Sequence, residues 1–239
     1  MQNPSQKLEV LYEDNHLIAV YKPAGVLVQA GDSRRDVGRS SIPVPILMDM
    51  VKTYLKETYK KEGNVFLGLI HRLDRNVGGV VLFAKTSKGA SRLSEQFRLH
   101  SVEKIYHAWV EGIPKQKKGT LINFLHLNER SNTTAVFDDE RDAPAGSDRA
   151  ELSYEVVKTE GDGTNSKSLL KIILQTGRHH QIRAQLSHIG HPILGDVKYG
   201  AAKPFADQHL ALYATELHFD TATTGERKII SIPIENVLT

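Results

Sequence analysis

Three short segments carry side chains whose types and spacing could do chemistry. The first is Gly68-Leu69-Ile70-His71-Arg72-Leu73-Asp74-Arg75. An apolar run delivers a carboxylate, Asp74, between the guanidinium groups of Arg72 and Arg75, ahead of Gly78-Gly79. An acid leaving a buried strand is held rigidly, as catalysis requires. Neighbouring arginines favour its ionised form, and they can also bind phosphate, bidentately where geometry allows. The same residues are compatible with an ordinary ion pair in a surface turn.

The second segment is Gly177-Arg178-His179-His180-Gln181-Ile182-Arg183-Ala184-Gln185-Leu186. A helix opening at Gly177 would present unpaired backbone N–H groups suited to an anion. Ile182 and Leu186, four apart, would face the core together. Arg178 would fall on much the same side, with Arg183 about 100° from Ile182. One arginine could then reach a phosphate while the other turns to an internal carboxylate. The alternative is a solvated helix face. The third segment is Lys104-Ile105-Tyr106-His107-Ala108-Trp109-Val110-Glu111-Gly112. Strand alternation places Lys104, Tyr106, Ala108 and Val110 on one face. Tyr106 could stack on a base or move a proton, or it could be a core tyrosine.

Other chemistries find little support. His179, His180, His188 and His191 lack the spacing of an H-E-x-x-H site, and the adjacent pair should diverge on a helix, so no metal is expected. The chain has no cysteine, which excludes disulfides, a thiol nucleophile and Cys-ligated zinc or iron–sulfur centres. With 239 residues, 40% of them hydrophobic and 25% charged, it can bury a substantial core. The net charge is only +3. Yet Lys85, Lys88, Arg92, Arg98, Lys104, Lys115, Lys117 and Lys118 cluster against Glu95, Glu103 and Glu111, which suits either a polyanion-binding face or a solvated surface. No apolar run reaches the ~18 residues of a membrane span, and Met1 to Lys7 is a short polar tail unlike a signal peptide. The expectation is a soluble, cytoplasmic protein with no membrane partner, acting as a monomer.

The elements that must position these groups can be read from periodicity. Residues 8–22 alternate as two strands around Glu13-Asp14-Asn15, and 29–43 read as a mobile loop. A helix is expected from Pro45 to about Lys60, with Pro45 in its first turn and Ile46, Met50, Val51, Tyr54 and Leu55 on one face. Strands are expected at 66–70 and 79–85, followed by a helix from Thr86 to Leu99 with Ala90, Leu93 and Phe97 inward. Further strands fall at 104–112, 121–127, 152–157, 169–174, 210–219 and 229–234. Residues 128–149 read as an exposed hairpin or loop, and a helix runs from Gly177 to about Ile189. The pattern is α+β, on a mixed or largely antiparallel sheet, with one domain over residues 8–239.

Taken together, the segments resemble the RluA-type RNA pseudouridine synthases. His71-Arg72-Leu73-Asp74 with Gly79 is similar to H-R-L-D-x-x-T-S-G. Lys104, Tyr106, Ala108, Val110 and Gly112 match K-x-Y-x-A-x-V-x-G. Gly177, Arg178, His180, Gln181, Ile182, Arg183 and Leu186 match G-R-x-H-Q-I-R-x-H-L. Gly190 to Asp196, Tyr199-Gly200, Tyr12-Glu13-Asp14 and Lys22-Pro23-Ala24-Gly25 also look like the family, in family order. Val77 and Gly78 replace the usual Thr-Ser, Gln185 a usual His, and Tyr213 a late His.

The resemblance implies the pseudouridine synthase fold, with helices and loops flanking a sheet around a central catalytic cleft. It implies isomerisation of uridine in 23S rRNA or tRNA, with no cofactor and without the small N-terminal RNA-binding domain of some relatives. Asp74 would be the nucleophile or base acting on the ribose. Tyr106 would stack on the uracil, and Arg183 would pair with Asp74. Arg72 would hold the flipped nucleotide, with Arg75, Arg178, His180 and Gln181 as further RNA contacts. The competing readings are a nucleosidase or glycosidase, which would ordinarily need a second partnered carboxylate, and a non-catalytic RNA-binding protein on the same fold.

Overall fold

The computed structural model describes residues 8–31, 44–207 and 209–234. The tail 1–7 and most of the loop expected over 29–43 lie outside them. Among the described residues the strands are β1 (Val10–Glu13), β2 (Leu17–Lys22), β3 (Gly68–Leu69), β4 (Gly78–Ala84), β5 (Glu103–Glu111), β6 (Lys118–Asn128), β7 (Thr133–Phe137), β8 (Asp148–Glu160), β9 (Lys167–Leu174), β10 (Leu212–Asp220) and β11 (Arg227–Ser231). The helices are α1 (Leu47–Thr58), α2 (Ser87–Arg98) and α3 (Gln181–His188). This is the expected α+β architecture on an extended, largely antiparallel sheet. The chain forms two compact units, one of Met1–Val102 with Glu216–Ile232, the other of Glu103–Thr215 with Pro233–Thr239.

In the first unit β1 and β2 form a hairpin. Its turn is built by Asp14, whose Oδ1 accepts the N–H groups of His16 and Leu17 at 2.7 Å each. That side chain supplies the local acceptor a short turn needs. β2 pairs with β4 from Leu17↔Ala84 to Lys22↔Gly79. Every residue of β4 is buried, so its unbroken apolar run reflects a strand covered on both faces. α1 buries Leu47, Val51 and Leu55, one stripe at four-residue spacing. It begins later than expected: Ile46 is the N-cap, so Pro45 precedes the helix. α2 is capped by Thr86, whose side chain accepts the Gly89 N–H at 3.1 Å.

In the second unit the strand order is β5-β9-β8-β6-β7. Its buried side chains include Leu152, Tyr154, Leu170 and Ile172. Of the hairpin or loop expected over 128–149, the hairpin forms: Thr133–Phe137 is β7 and pairs with β6 from Phe124↔Phe137 to Asn128↔Thr133. One expectation is corrected: α3 starts at Gln181, four residues after Gly177, because His180 takes a left-handed conformation (φ 51°) as its N-cap.

Candidate functional site

Asp74 lies in the first unit, in the segment between β3 and β4, and is half-buried. β3 is only two residues long. Two positions beyond it, the His71 imidazole extends the attachment: its Nε2 accepts the Leu82 N–H of β4 at 3.0 Å, and its ring stacks on Phe97. An accepting Nε2 means this nitrogen carries no proton. Leu73 is buried, and Val77 donates its N–H to the Asp74 carbonyl at 3.1 Å, closing a tight turn. Val77, which replaces a polar residue of the family pattern, is itself buried.

The other side of this turn is fastened to residues 22–26. The Arg75 carbonyl accepts the Gly25 N–H at 2.7 Å, and Arg75 Nε returns a bond to the Gly25 carbonyl at 3.2 Å. Gly25 has φ 88°, a conformation glycine adopts without strain. Beneath sits Lys22, fully buried. Its Nζ donates to the carbonyls of Pro23 (3.0 Å), Val26 (2.8 Å) and Arg75 (3.0 Å). Three donated bonds require the ammonium form. Burial pushes Lys22 down to about 7; the Asp74 carboxylate opposes that shift and the Arg75 cation adds to it. Arg72 is exposed, while Arg75 is half-buried and partly engaged by Gly25. Lys22 was visible in the sequence only as part of the Lys22-Pro23-Ala24-Gly25 pattern, and its grip on the Asp74 turn was not.

In the second unit Tyr106 lies on β5, buried, opposite Ile172 of β9. Arg183, on α3, is buried and held bidentately by Asp196: Nε to Oδ2 at 2.7 Å and Nη2 to Oδ1 at 2.9 Å. The Tyr199 ring lies under its guanidinium, 4.9 Å from centroid to Cζ. This clamp fixes the plane of the guanidinium. The Tyr199 hydroxyl accepts the Thr134 N–H at 2.8 Å and lies 2.9 Å from His180 Nδ1. His179 meets Thr134 Oγ1 at 2.9 Å. The two histidine rings do not diverge as on a helix; their centroids are 3.7 Å apart. Among the described residues no group of three His, Asp or Glu gathers as a metal set. Asp196 and Tyr199 were legible as motif residues, without a role.

Gln181 was expected to face RNA, but it is buried and engaged inside the protein. Its Oε1 accepts the Thr176 hydroxyl and the Arg178 N–H; its Nε2 donates to the Glu151 carbonyl and Gln185 Oε1. Both donors and both acceptor positions are used. Gln185, fully buried where the family pattern has His, passes the chain on to Asn123 Oδ1 at 2.7 Å. An amide suits this position because it accepts at one end and donates at the other. Arg178 precedes the helix and does not share a helical face with Ile182; it is half-exposed, paired with Asp148 at 3.0 Å and bonded to the Arg149 carbonyl.

These segments, and the sequence around them, match known proteins. The family model described as RNA pseudouridylate synthase matches residues 16–188. A tRNA pseudouridine synthase C of Yersinia pestis is 32% identical over 231 residues, covering 92% of this chain and 83% of that protein. A ribosomal large subunit pseudouridine synthase C of Buchnera aphidicola is 31% identical, over 95% of this chain and 67% of that protein. Among solved structures, human RNA pseudouridylate synthase domain containing 1 shares the fold, with a TM-score of 0.73 at 21% identity over 98% of this chain and 86% of that one. No helix among the described residues is long and apolar enough to cross a membrane. The chain therefore belongs to the RluA-type RNA pseudouridine synthases, isomerases that modify RNA.

Proposed function

We propose that this protein converts specific uridines of a structured RNA to pseudouridine, with tRNA as its first substrate class and 23S rRNA as the alternative. The Yersinia pestis relative named for tRNA matches this chain over more of its own length than the relative named for ribosomal RNA, 83% against 67%. The observation that carries the reading is the mounting of Asp74: a half-buried acid on a turn fastened at both ends, by His71 to β4 and by Arg75 to residues 22–26. Such fixity suits a group that must attack one atom.

In this reading the C1′–N1 glycosidic bond of the target breaks as Asp74 attacks C1′ or withdraws the C2′ proton. The uracil turns and C5 bonds to C1′, displacing the Asp74 carboxylate in the first route, or with Asp74 returning the proton to C2′ in the second. The C5 proton then leaves, N1 ends protonated, and no redox equivalent is consumed. Tyr106 stacks on the uracil and receives the C5 proton; Arg183, oriented by Asp196 and Tyr199, pairs with Asp74. The target must leave its stack, at a cost of a few kcal/mol, and Arg72, Arg75, Arg178 and His180 supply offsetting RNA contacts. Residues 8–239 work as one catalytic domain, as a monomer in the cytoplasm. Pseudouridine mapping of tRNA and 23S rRNA from cells with and without the protein tests this. A tRNA site that vanishes with the protein supports the reading; unchanged maps in both RNAs overturn it.

A further inference from the structure

Two lysines drawn into this fold are provided with acceptors. Lys22 has three carbonyls, and Lys85 has the Glu13 carboxylate at 2.5 Å and the Asp14 carbonyl at 2.7 Å. Lys104, at the start of β5, is different. It is half-buried, and its ammonium makes no hydrogen bond or ion pair with any described residue. Burial alone pushes it down to about 8, with no neighbouring charge contributing.

Its surroundings are built from β5 and the bend that leads to α3. The Cβ position of Gly177 lies 3.9 Å from Lys104 Nζ, so a glycine leaves the approach to the amine uncrowded. The next residue, Arg178, is compensated by Asp148. Lys104 thus carries an uncompensated charge, partly stripped of water, in a protein whose family acts on a polyanion. On β5 it shares a face with Tyr106, two residues and about 7 Å along the strand.

We propose that Lys104, against the Gly177 bend, forms a phosphate subsite for the RNA substrate, pairing with a backbone phosphate beside the nucleotide that stacks on Tyr106. This rests on the pseudouridine synthase reading for the place of that nucleotide. A phosphodiester oxygen restores the solvation the amine has lost, and the pairing releases counterion from the RNA.

The test is equilibrium binding of unfractionated tRNA across a sodium chloride series, for wild type, Lys104→Met, Lys104→Gln and Lys104→Arg, beside the kinetics of pseudouridine formation. The Met and Gln variants should bind about tenfold more weakly, with a salt dependence shallower by about 0.7 in the log–log slope for one lost phosphate contact. Their defect should fall on KM rather than kcat, and arginine should restore both affinity and slope. A Met or Gln variant with the wild-type slope overturns the proposal, whether affinity is kept or lost. So does a lowered melting temperature in both variants with an unchanged slope, which marks Lys104 as structural. Binding is read without turnover: if wild type binds tRNA but makes no pseudouridine, the function reading fails while the slope comparison still decides on Lys104.

Discussion

Replacing Lys22 by Met should loosen the turn that carries Asp74, and the structure sets the size of the effect. Met keeps most of the buried stem but removes the ammonium. The Arg75 carbonyl retains the Gly25 N–H, whereas the Pro23 and Val26 carbonyls lose the Nζ donor. A buried polar group left without its partner costs about 1–3 kcal/mol. Below pH 7 relief of the desolvated charge offsets most of this, so the net loss of about 2 kcal/mol, or roughly 4–8 °C in melting temperature for a chain of this size, is expected towards pH 10, where that charge is already gone. A displaced acid of even about 1 Å costs on the order of 100-fold in rate, so kcat should fall far more than RNA affinity. The pH dependence gives a second readout. Native Lys22 releases its proton near 7, against an ordinary lysine value of 10.5 for the unfolded chain. Between those values the unfolded state binds more protons, so this residue makes stability rise with pH, by at most about 1.4 kcal/mol per unit. Lys104, lowered to about 8, acts in the same direction, so the quantity to compare is the difference between wild type and Lys22→Met. Melting curves at pH 6 to 10 and single-turnover rates on tRNA check both effects. A Lys22→Met enzyme with wild-type kcat and an unchanged stability slope would refute the reasoning.

Other perturbations separate the remaining supports. His71→Ala leaves the Leu82 N–H without its imidazole acceptor and should cost about 1–3 kcal/mol with a large loss of kcat; His71→Gln, which can place an oxygen near the position of Nε2, should recover much of both, as melting and turnover measurements can show. Asp196→Ala removes one half of a buried, bidentate pair and should cost about 3–5 kcal/mol, roughly 6–20 °C by calorimetry. Gln181→Leu breaks the Thr176–Gln181–Gln185 chain and should lower the melting temperature while leaving the salt dependence of tRNA binding at its wild-type slope; a shallower slope would place Gln181 on the RNA after all.

The fold class was legible because each element has one clear period: the continuous apolar run of β4, the four-residue stripe of α1, the alternation of β8. The failures have local causes. The start of α3 was placed at Gly177 because a glycine followed by a helical pattern looks like a boundary. Side-chain bonds move it to Gln181, whose amide takes the Arg178 N–H while His180 turns left-handed. A hairpin over 128–149 was one of two readings, but the bounds of β7 were not legible, because Thr133–Phe137 adjoins the charged run Asp138 to Asp142. The candidate site was legible as three motifs, and Asp74 stood out by its flanking arginines. What one-dimensional spacing could not show is support from a distance. Lys22 is 53 residues from the carbonyl it holds, and Asp196 is 13 residues from Arg183. Gln181 shows the converse: a polar motif residue looks like a ligand contact until its partners are seen within the protein.

The central claim is that Asp74 performs the chemistry on the ribose. It is tested most directly by incubating purified Asp74→Ala and wild type with tRNA lacking modifications, measuring pseudouridine formed and RNA bound in the same samples. The account predicts no pseudouridine from Asp74→Ala, at least 1,000-fold below wild type (about 4 kcal/mol of barrier), with tRNA affinity within about threefold. Pseudouridine formation by the mutant at a rate near that of wild type would contradict it.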